Sequence, residues 1–315
     1  MTRFKQTEAR HCAVRRRLLL TAAAAGGLAL SPWRLGSAAT EQTMRRRPIP
    51  ATGEKLAVMG LGSSGSFSTD DPDTLADLRT VLDQFVAMGG EMVDTSPTYG
   101  DAETVIGRLA REAGLRDSLF MATKVHIDGR EAGVNQMQRS EQLLGQPIDL
   151  MQVHNFVDLD TQWDTLEQMK AEGVFRYIGI THYQTYAFDQ LEQEMKNRDL
   201  DFVQLNYSVM TPDAERRLLP LAADRGMAVI VNRAFNDGAL FGAVRGRSLP
   251  GYAAEIGVNS WAQFALKYVL ADPAVNVVIP ATSDPEHLVD NMQAGYGALP
   301  DRAMQKRMPR TIEQL

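Results

Sequence analysis

Met92-Val93-Asp94-Thr95-Ser96-Pro97-Thr98-Tyr99-Gly100 reads as the end of a buried strand that breaks into a loop. Met92 and Val93 belong to the strand. Pro97 cannot continue it, and Asp94 and Tyr99 are released at the break. Strand ends that open into loops are where α/β enzymes place their chemistry. A lone tyrosine means little, since most pack the ring and wet the hydroxyl. Tyr99 gains weight because Lys124 and His154 stand at the ends of the next two strand-like runs.

The same unit repeats outward from this stretch. Before it, Ile49 to Leu56 reads as a short hairpin turning at Thr52-Gly53, after a basic hinge at Arg45–Arg47, and 55–61 as a first strand. The helix over 73–88 has Leu75, Leu78, Leu82, Phe85 and Val86 at helical spacing, and Asp71-Pro72 begins it. After it come a helix over 102–113, a strand over 119–125 and a helix over 134–144. The alternation continues with strands at 148–153, 176–181, 202–207, 227–231 and 275–280. Helices at 161–172, 186–196, 214–224, 260–270 and 285–293 lie between or after them. The strands are continuous apolar runs, the pattern of strands buried on both faces of a parallel sheet. Eight strands and eight helices in strict alternation predict one (β/α)₈ TIM barrel, of class α/β, preceded by a short N-terminal hairpin. The tail after Asn291 reads as short, and the loop over 236–251 as modest.

The chain's 315 residues suit one such barrel, and 44% hydrophobic with 23% charged residues is the composition of a globular protein. Residues 1–39 hold seven Lys/Arg and one Glu, so this segment is +6 and the rest −12 within a total of −6. An acidic body argues against nucleic acid, which needs a basic surface. The one cysteine, Cys12, lies in the basic segment, so the body has no thiol, disulfide or cysteine metal site. Arg15, Arg16 and Arg17 precede the weakly apolar run 18–30, and Ser37-Ala38-Ala39 follows. This is a charged region, a short apolar region and a small-residue cleavage site. It resembles a twin-arginine signal, removed by cleavage with no membrane span left behind. The expectation is residues 1–39 as signal, residues 40–315 as barrel, passage through the twin-arginine machinery, and a folded product in the periplasm or another extracytoplasmic space. The competing reading is a basic, irregular N-terminal tail.

Gly60-Leu61-Gly62-Ser63-Ser64-Gly65 matches G-x-G-x-x-G by letter. A dinucleotide fingerprint needs the helix to open at the third glycine, so that its N-terminus meets the pyrophosphate. Here Phe67, Ser68, Thr69 and Asp70 intervene, and no acidic strand end follows about twenty residues on. A tight loop atop the first barrel strand is the better reading.

Asp94, Tyr99, Lys124 and His154 each lie at or just past the C-terminal end of three neighbouring strands, the face on which barrel enzymes work. A tyrosine of ordinary pKa near 10 is a poor acid at neutral pH. An adjacent ammonium favours the phenolate and lowers that pKa. A carboxylate beside the lysine keeps it charged and oriented, and a histidine can share a proton or hold a substrate oxygen. Such a group can protonate a carbonyl oxygen while hydride reaches the carbon. The bland alternative is a buried Asp–Lys pair with Tyr and His packed around it.

Residues 93–100, Ala122-Thr123-Lys124, Gln152-Val153-His154-Asn155, Gly60-Leu61-Gly62, Gly179-Ile180-Thr181, residues 203–208 and Ile279-Pro280-Ala281-Thr282 resemble the signature segments of the aldo-keto reductase family. The resemblance runs from about Pro48 to about Asn291. It implies an NADPH-dependent reductase of aldehydes or ketones, with a small carbonyl compound as partner and NADH as a further candidate cofactor. It implies Tyr99 as general acid, Lys124 and Asp94 as the pair that tunes it, and His154 as the contact to the substrate oxygen. Candidate cofactor contacts are Ser63, Asp94, Thr181, His182, Gln204, Asn232, Arg233, Ser283, His287 and Asn291. Thr181-His182 stands where the family commonly has Ser-Asn, and Asn232 where many members stack an aromatic ring on the nicotinamide. Arg233 reaches either the pyrophosphate or a surface partner. Asp284 repels a phosphate unless it points away.

His126 lies two residues past Lys124 on the same side of its strand, and lines the pocket or packs. His126 and His154 lack a third metal ligand at useful spacing. Two rival functions stay open. Lys124 can form a Schiff base in a lyase, or the barrel can bind a nucleotide or partner with little turnover.

Overall fold

The computed structural model describes Thr43–Leu315; the expected export signal over residues 1–39 lies outside the described residues. Eight parallel strands form the barrel: β3 (Leu61–Gly62), β4 (Met92–Asp94), β5 (Phe120–Val125), β6 (Leu150–His154), β7 (Tyr177–His182), β8 (Phe202–Asn206), β9 (Ala228–Asn232) and β10 (Val275–Val278). Each is hydrogen-bonded to the next in sequence. The last meets the first through Gly60 N donating to Val278 O at 2.9 Å and Gly62 N to Pro280 O at 3.1 Å. A Cβ on Gly62 would lie 2.7 Å from the Ile279 carbonyl oxygen, and one on Gly60 2.8 Å from Val277. Two glycines of the G-x-G-x-x-G run therefore let the barrel close, and the dinucleotide-fingerprint reading finds no support there.

The hairpin is present, but its arms are β1 (Arg46–Pro48) and β2 (Lys55–Ala57). The basic run expected to be a hinge is thus mostly strand. Arg46 pairs with Glu91 at 2.8 Å, and Arg47 donates to the carbonyls of Leu270 and Asp272 at 2.6 and 2.7 Å. Those carbonyls end a helix and have no partner within it. The expected first strand, 55–61, divides between hairpin and barrel.

Around the sheet lie α1 (Pro72–Ala87), α2 (Ala102–Ala113), α3 (Arg130–Leu144), α4 (Leu159–Ala171), α5 (Phe188–Asn197), α6 (Leu218–Arg225), α7 (Ala239–Ala243), α8 (Trp261–Ala271), α9 (Pro285–Met292) and α10 (Arg302–Glu313). Asp71 caps α1 by accepting from Thr74 N at 2.8 Å. The short α7 and the C-terminal α10 are the corrections to the expected count. α7 has only five residues, too few to show a period. α10 buries only Met308 and Ile312 and contains Pro309, so its apolar signal is thin. None of the described helices is long and apolar enough to cross a membrane.

Alternation along the strands sorts the interior into levels. Met92, Phe120, Ala122, Leu150, Tyr177, Phe202, Ala228, Ile230 and Val277 form one apolar cluster, with Ile49 and Leu56 of the hairpin among them. The intervening residues, such as Val93, Met121, Val153, Ile178 and Val203, join a second cluster with the helices. The next inward position after the apolar level, toward the strands' C-terminal ends, is polar on five strands. That position builds the site.

Candidate active site

Asp94, Lys124, Gln152 and Gln204 are all buried and converge at the top of the barrel. Lys124 Nζ donates to Asp94 Oδ2 at 2.6 Å and to the Thr95 carbonyl at 2.7 Å. Asp94 Oδ1 accepts from Gln152 Nε2 at 3.1 Å and Gln204 Nε2 at 2.8 Å. Gln204 Oε1 in turn accepts from Asn232 Nδ2 at 3.2 Å. An unpaired charge here would be costly, so the carboxylate's two oxygens and the ammonium are tied by directed bonds. Burial alone depresses the Lys124 pKa, but Asp94 and Tyr99 more than reverse this, and the net direction is up. Lys124 is an ammonium at every physiological pH. On the outward side of β5, Thr123 donates to the buried Glu103 of α2 at 2.6 Å, and Ser140 of α3 to the same carboxylate at 3.1 Å. This clasp holds two helices against the strand that carries Lys124.

Tyr99 sits in the turn between β4 and α2, with its amide donating to Ser96 O at 3.1 Å. The Lys124 ammonium lies 5.1 Å from the centre of its ring. The sequence predicted a lowered phenol pKa. The direction is the reverse: burial raises it, and Lys124 opposes this without winning. The phenol therefore keeps its proton in the ligand-free site.

His154 ends β6 with its ring edge-on to Tyr99, centres 5.9 Å apart. Its Nδ1 lies 3.2 Å from Ser96 Oγ. Burial first, then the charge on Lys124 and the neighbouring histidines, push its pKa down to about 2. It is a neutral imidazole. His126 packs beside it, ring centres 5.0 Å apart, with Nδ1 3.3 Å from the His154 carbonyl. Among the described residues no three metal-ligating side chains converge.

A cavity of about 650 Å³ opens over this group. Asp94, Tyr99 and His154 line it, together with Ser63, Thr181, Gln204, Asn232 and Arg233 from the candidate cofactor set. Lys124 lies beneath, fully buried. Ser63 is fastened by donating to the Asp94 carbonyl at 3.0 Å. His182 is not brought to the cavity. It follows inward-facing Thr181 by one residue, so it turns outward and packs on Phe156, ring centres 4.9 Å apart. Ser283, His287 and Asn291 do not line the cavity either. His287 is exposed on the first turn of α9, and Asn291 is buried. Asp284 caps α9, its Oδ1 accepting from Glu286 N at 2.7 Å and His287 N at 3.2 Å. Sequence reasoning missed Gln152, Ser96, Tyr183 and Asn155. Gln152 was within reach, since it lies two residues before His154 and so shares its face.

A barrel whose strand tops carry a buried Asp–Lys pair, a protonated tyrosine and a neutral histidine, opening to one cavity, defines a catalytic barrel of the α/β class. The Aldo/keto reductase family model matches residues 58–307, and the chain belongs to that family. It is 26% identical over 220 residues to the aldo-keto reductase YhdN of Bacillus subtilis, covering 63% of this chain and 64% of that protein. The chain thus spans a little under two thirds of that relative's length. It is 26% identical over 243 residues to the NADH-specific methylglyoxal reductase of Escherichia coli, covering 67% and 73%. Among solved structures, an aldo-keto reductase from Klebsiella pneumoniae in complex with NADPH superposes with a TM-score of 0.72 at 21% identity, covering 85% of this chain and 96% of that one. The holo form of an aldo-keto reductase from Bacillus halodurans gives 0.68 at 22% identity, with coverage of 85% and 96%. At these identities the structural likeness speaks for the fold.

Proposed function

We propose that the protein reduces aldehyde or ketone carbonyls with a nicotinamide cofactor, using Tyr99 as the proton donor. The observation that carries this reading is the protonated phenol held against a buried Asp94–Lys124 pair on the wall of the cavity. Residues present there fit a nicotinamide. Asn155 Oδ1 and Asn232 Oδ1 are buried acceptors without a partner, beside a cavity that Thr181 also lines. An incoming carboxamide N–H₂ satisfies such acceptors. When bound, the cofactor supplies hydride to the carbonyl carbon.

The chain's own residues do the rest. Ser96 Oγ accepts the Thr98 amide at 3.2 Å and lies 2.9 Å from Thr98 Oγ1 and 3.2 Å from His154 Nδ1; in the tautomer this mechanism uses, Ser96 donates to Nδ1. That leaves the ring proton on Nε2, ready to hold the substrate oxygen. Tyr99 then gives its proton to the oxygen. The Lys124 ammonium stabilises the phenolate left behind, and Asp94 with the two glutamines keeps Lys124 in place. A Schiff-base lyase needs a neutral lysine amine, and the charged, doubly bonded Lys124 speaks against it.

NADPH and NADH both stay within the reading. The Klebsiella pneumoniae structure is a complex with NADPH, and the Escherichia coli relative is an NADH-specific reductase. Residues 281–291, where the family resemblance places the 2′-phosphate, hold no Lys or Arg. Asp284 itself occupies the amides of that helix terminus. This weakens the case for a phosphate contact in this chain. Mixing the purified protein with a panel of aldehydes and each reduced dinucleotide separately tests the reading. Turnover with either supports it. No binding of either and no turnover would leave the binding scaffold as the better account.

The basic–apolar–small pattern of residues 1–39 supports export through the twin-arginine machinery and an extracytoplasmic location for a barrel beginning near residue 40. Cell fractionation of the full chain, against one with Arg15, Arg16 and Arg17 changed to Lys, tests this. Equal retention of both inside the cell would defeat it.

A further inference from the structure

The acidic body places one arginine in the wall of its catalytic cavity. Among the described residues, Arg233 is the only Lys or Arg that lines that space. It stands immediately after Asn232, whose amide reaches Gln204 and through it Asp94. Its backbone is left-handed at φ 54°, as are Asn236 at 50° and Asp237 at 53°. Three non-glycine residues in that region within five positions is a costly arrangement that persists where the surroundings enforce it. The guanidinium lies over the Tyr183 ring, 5.1 Å from its centre. One terminal nitrogen, Nη2, pairs with Asp237, whose side chain is 64% exposed. Nη1 makes no hydrogen bond among the described residues, and Nε is buried without a partner. An arginine has five N–H donors in a planar fork. Here the plane is fixed by an aromatic platform and a strained loop, while most of the donors are unused.

We infer that Arg233 binds a carboxylate on the carbonyl substrate, so that the preferred substrates are 2-oxo acids or similarly short anionic carbonyl compounds. This rests on the reductase reading. A planar carboxylate matches the fork bidentately. A single arginine neutralises one such charge, whereas a pyrophosphate brings two, and no second cation among the described residues lines the cavity. Arg233 stands one residue past Asn232 and lines the same cavity as Tyr99 and His154, the space in which a short 2-oxo acid would carry its carboxylate. Asp237, whose carboxylate is exposed, holds Nη2 and leaves Nη1 for the ligand. Tyr183 and the left-handed loop act as positioning elements for Arg233.

The test compares pyruvate with methyl pyruvate, and phenylglyoxylate with its methyl ester, in the wild type, Arg233→Gln and Arg233→Lys. Circular dichroism and melting temperature check that each variant is folded. The wild type should favour acid over ester in kcat/KM by about tenfold or more. Arg233→Gln should lower the acid-to-ester ratio in kcat/KM by about tenfold or more, through the KM of the acids. Arg233→Lys, with charge but no fork, should fall between. Calorimetric titration with oxalate in saturating oxidised dinucleotide gives a readout without turnover, and binding should be lost in Arg233→Gln. Equal handling of acids and esters by the wild type overturns the inference, as does a preference that survives Arg233→Gln. Tenfold weaker dinucleotide binding in Arg233→Gln with an unchanged acid-to-ester ratio also overturns it, and assigns the arginine to the pyrophosphate. If nothing is reduced but oxalate binding still depends on Arg233, the anion site stands and the reductase reading falls.

Discussion

Inside the barrel, successive inward positions on the same strand do opposite things. Met92, Ala122, Leu150, Phe202 and Ile230 are apolar and fill the lower half with the hairpin's Ile49 and Leu56. Two residues further along the same strands stand Asp94, Lys124, Gln152, Gln204 and Asn232, joined by hydrogen bonds of 2.6 to 3.2 Å. Both halves exclude water, but only the lower half gains from doing so. Burial of apolar area stabilises the lower level by roughly 25 cal/mol per Å². The upper level loses hydration of a carboxylate, an ammonium and three amides, and recovers it only through directed bonds. The lower half is therefore where stability resides, and the upper half is a polar device that the lower half supports.

That contrast can be broken from either side. Lys124→Met should cut kcat about 10²–10³-fold or more, because a positioned charge that stabilises the phenolate is gone. It should also destabilise by about 3–5 kcal/mol, since Asp94 is left buried and unpaired. Adding Asp94→Leu should restore much of the stability and none of the activity. Denaturant melts and steady-state kinetics on the two variants check this, and a double variant that regains turnover would contradict the division. Phe202→Ala, one inward position below Gln204, should cost about 3–5 kcal/mol. The folded protein should keep its kcat, because the polar level is untouched.

The strand-by-strand alternation was legible in the sequence because both-face burial leaves unbroken apolar runs, and Asp94, Tyr99, Lys124 and His154 fell at the ends of those runs. The hairpin arms were misplaced because Arg46 and Arg47 look like a hinge in sequence. Their use, pairing with Glu91 and with helix-end carbonyls, depends on residues 45 to more than 220 positions away. α10 was hidden because it covers the barrel with only two buried side chains. The phenol pKa was expected to fall because a lysine's charge can be read from a sequence, whereas the burial that outweighs it cannot. His182 follows Thr181 by a single step of the two-residue period, and its packing on Phe156 outside the cavity lining depends on a loop that its own strand does not reveal.

The effects of pH are the most gradual, and small over any one unit. His154 has its pKa depressed to about 2 from 6.5, so its neutral form stabilises the fold fully above pH 6.5. That contribution is lost as pH falls from 6.5 toward 2, with a slope of up to about 1.4 kcal/mol per pH unit. Stability curves should show this slope in the wild type and lack it in His154→Gln. The wild type's kcat should show no limb from His154 between pH 5 and 8. Because the Tyr99 pKa is raised above 10, activity should fall only as pH climbs through that range and the phenol loses its proton.

The central claim is that the proton comes from Tyr99. Tyr99→Phe removes one hydroxyl and leaves the ring against His154. The most direct measurement is single-turnover reduction by this variant, alongside dinucleotide binding by fluorescence. Reduction should fall by about 10²–10⁴-fold while dinucleotide affinity stays near that of the wild type. Turnover close to the wild-type rate would mean that the proton reaches the carbonyl oxygen from another group, and would contradict this account of the site.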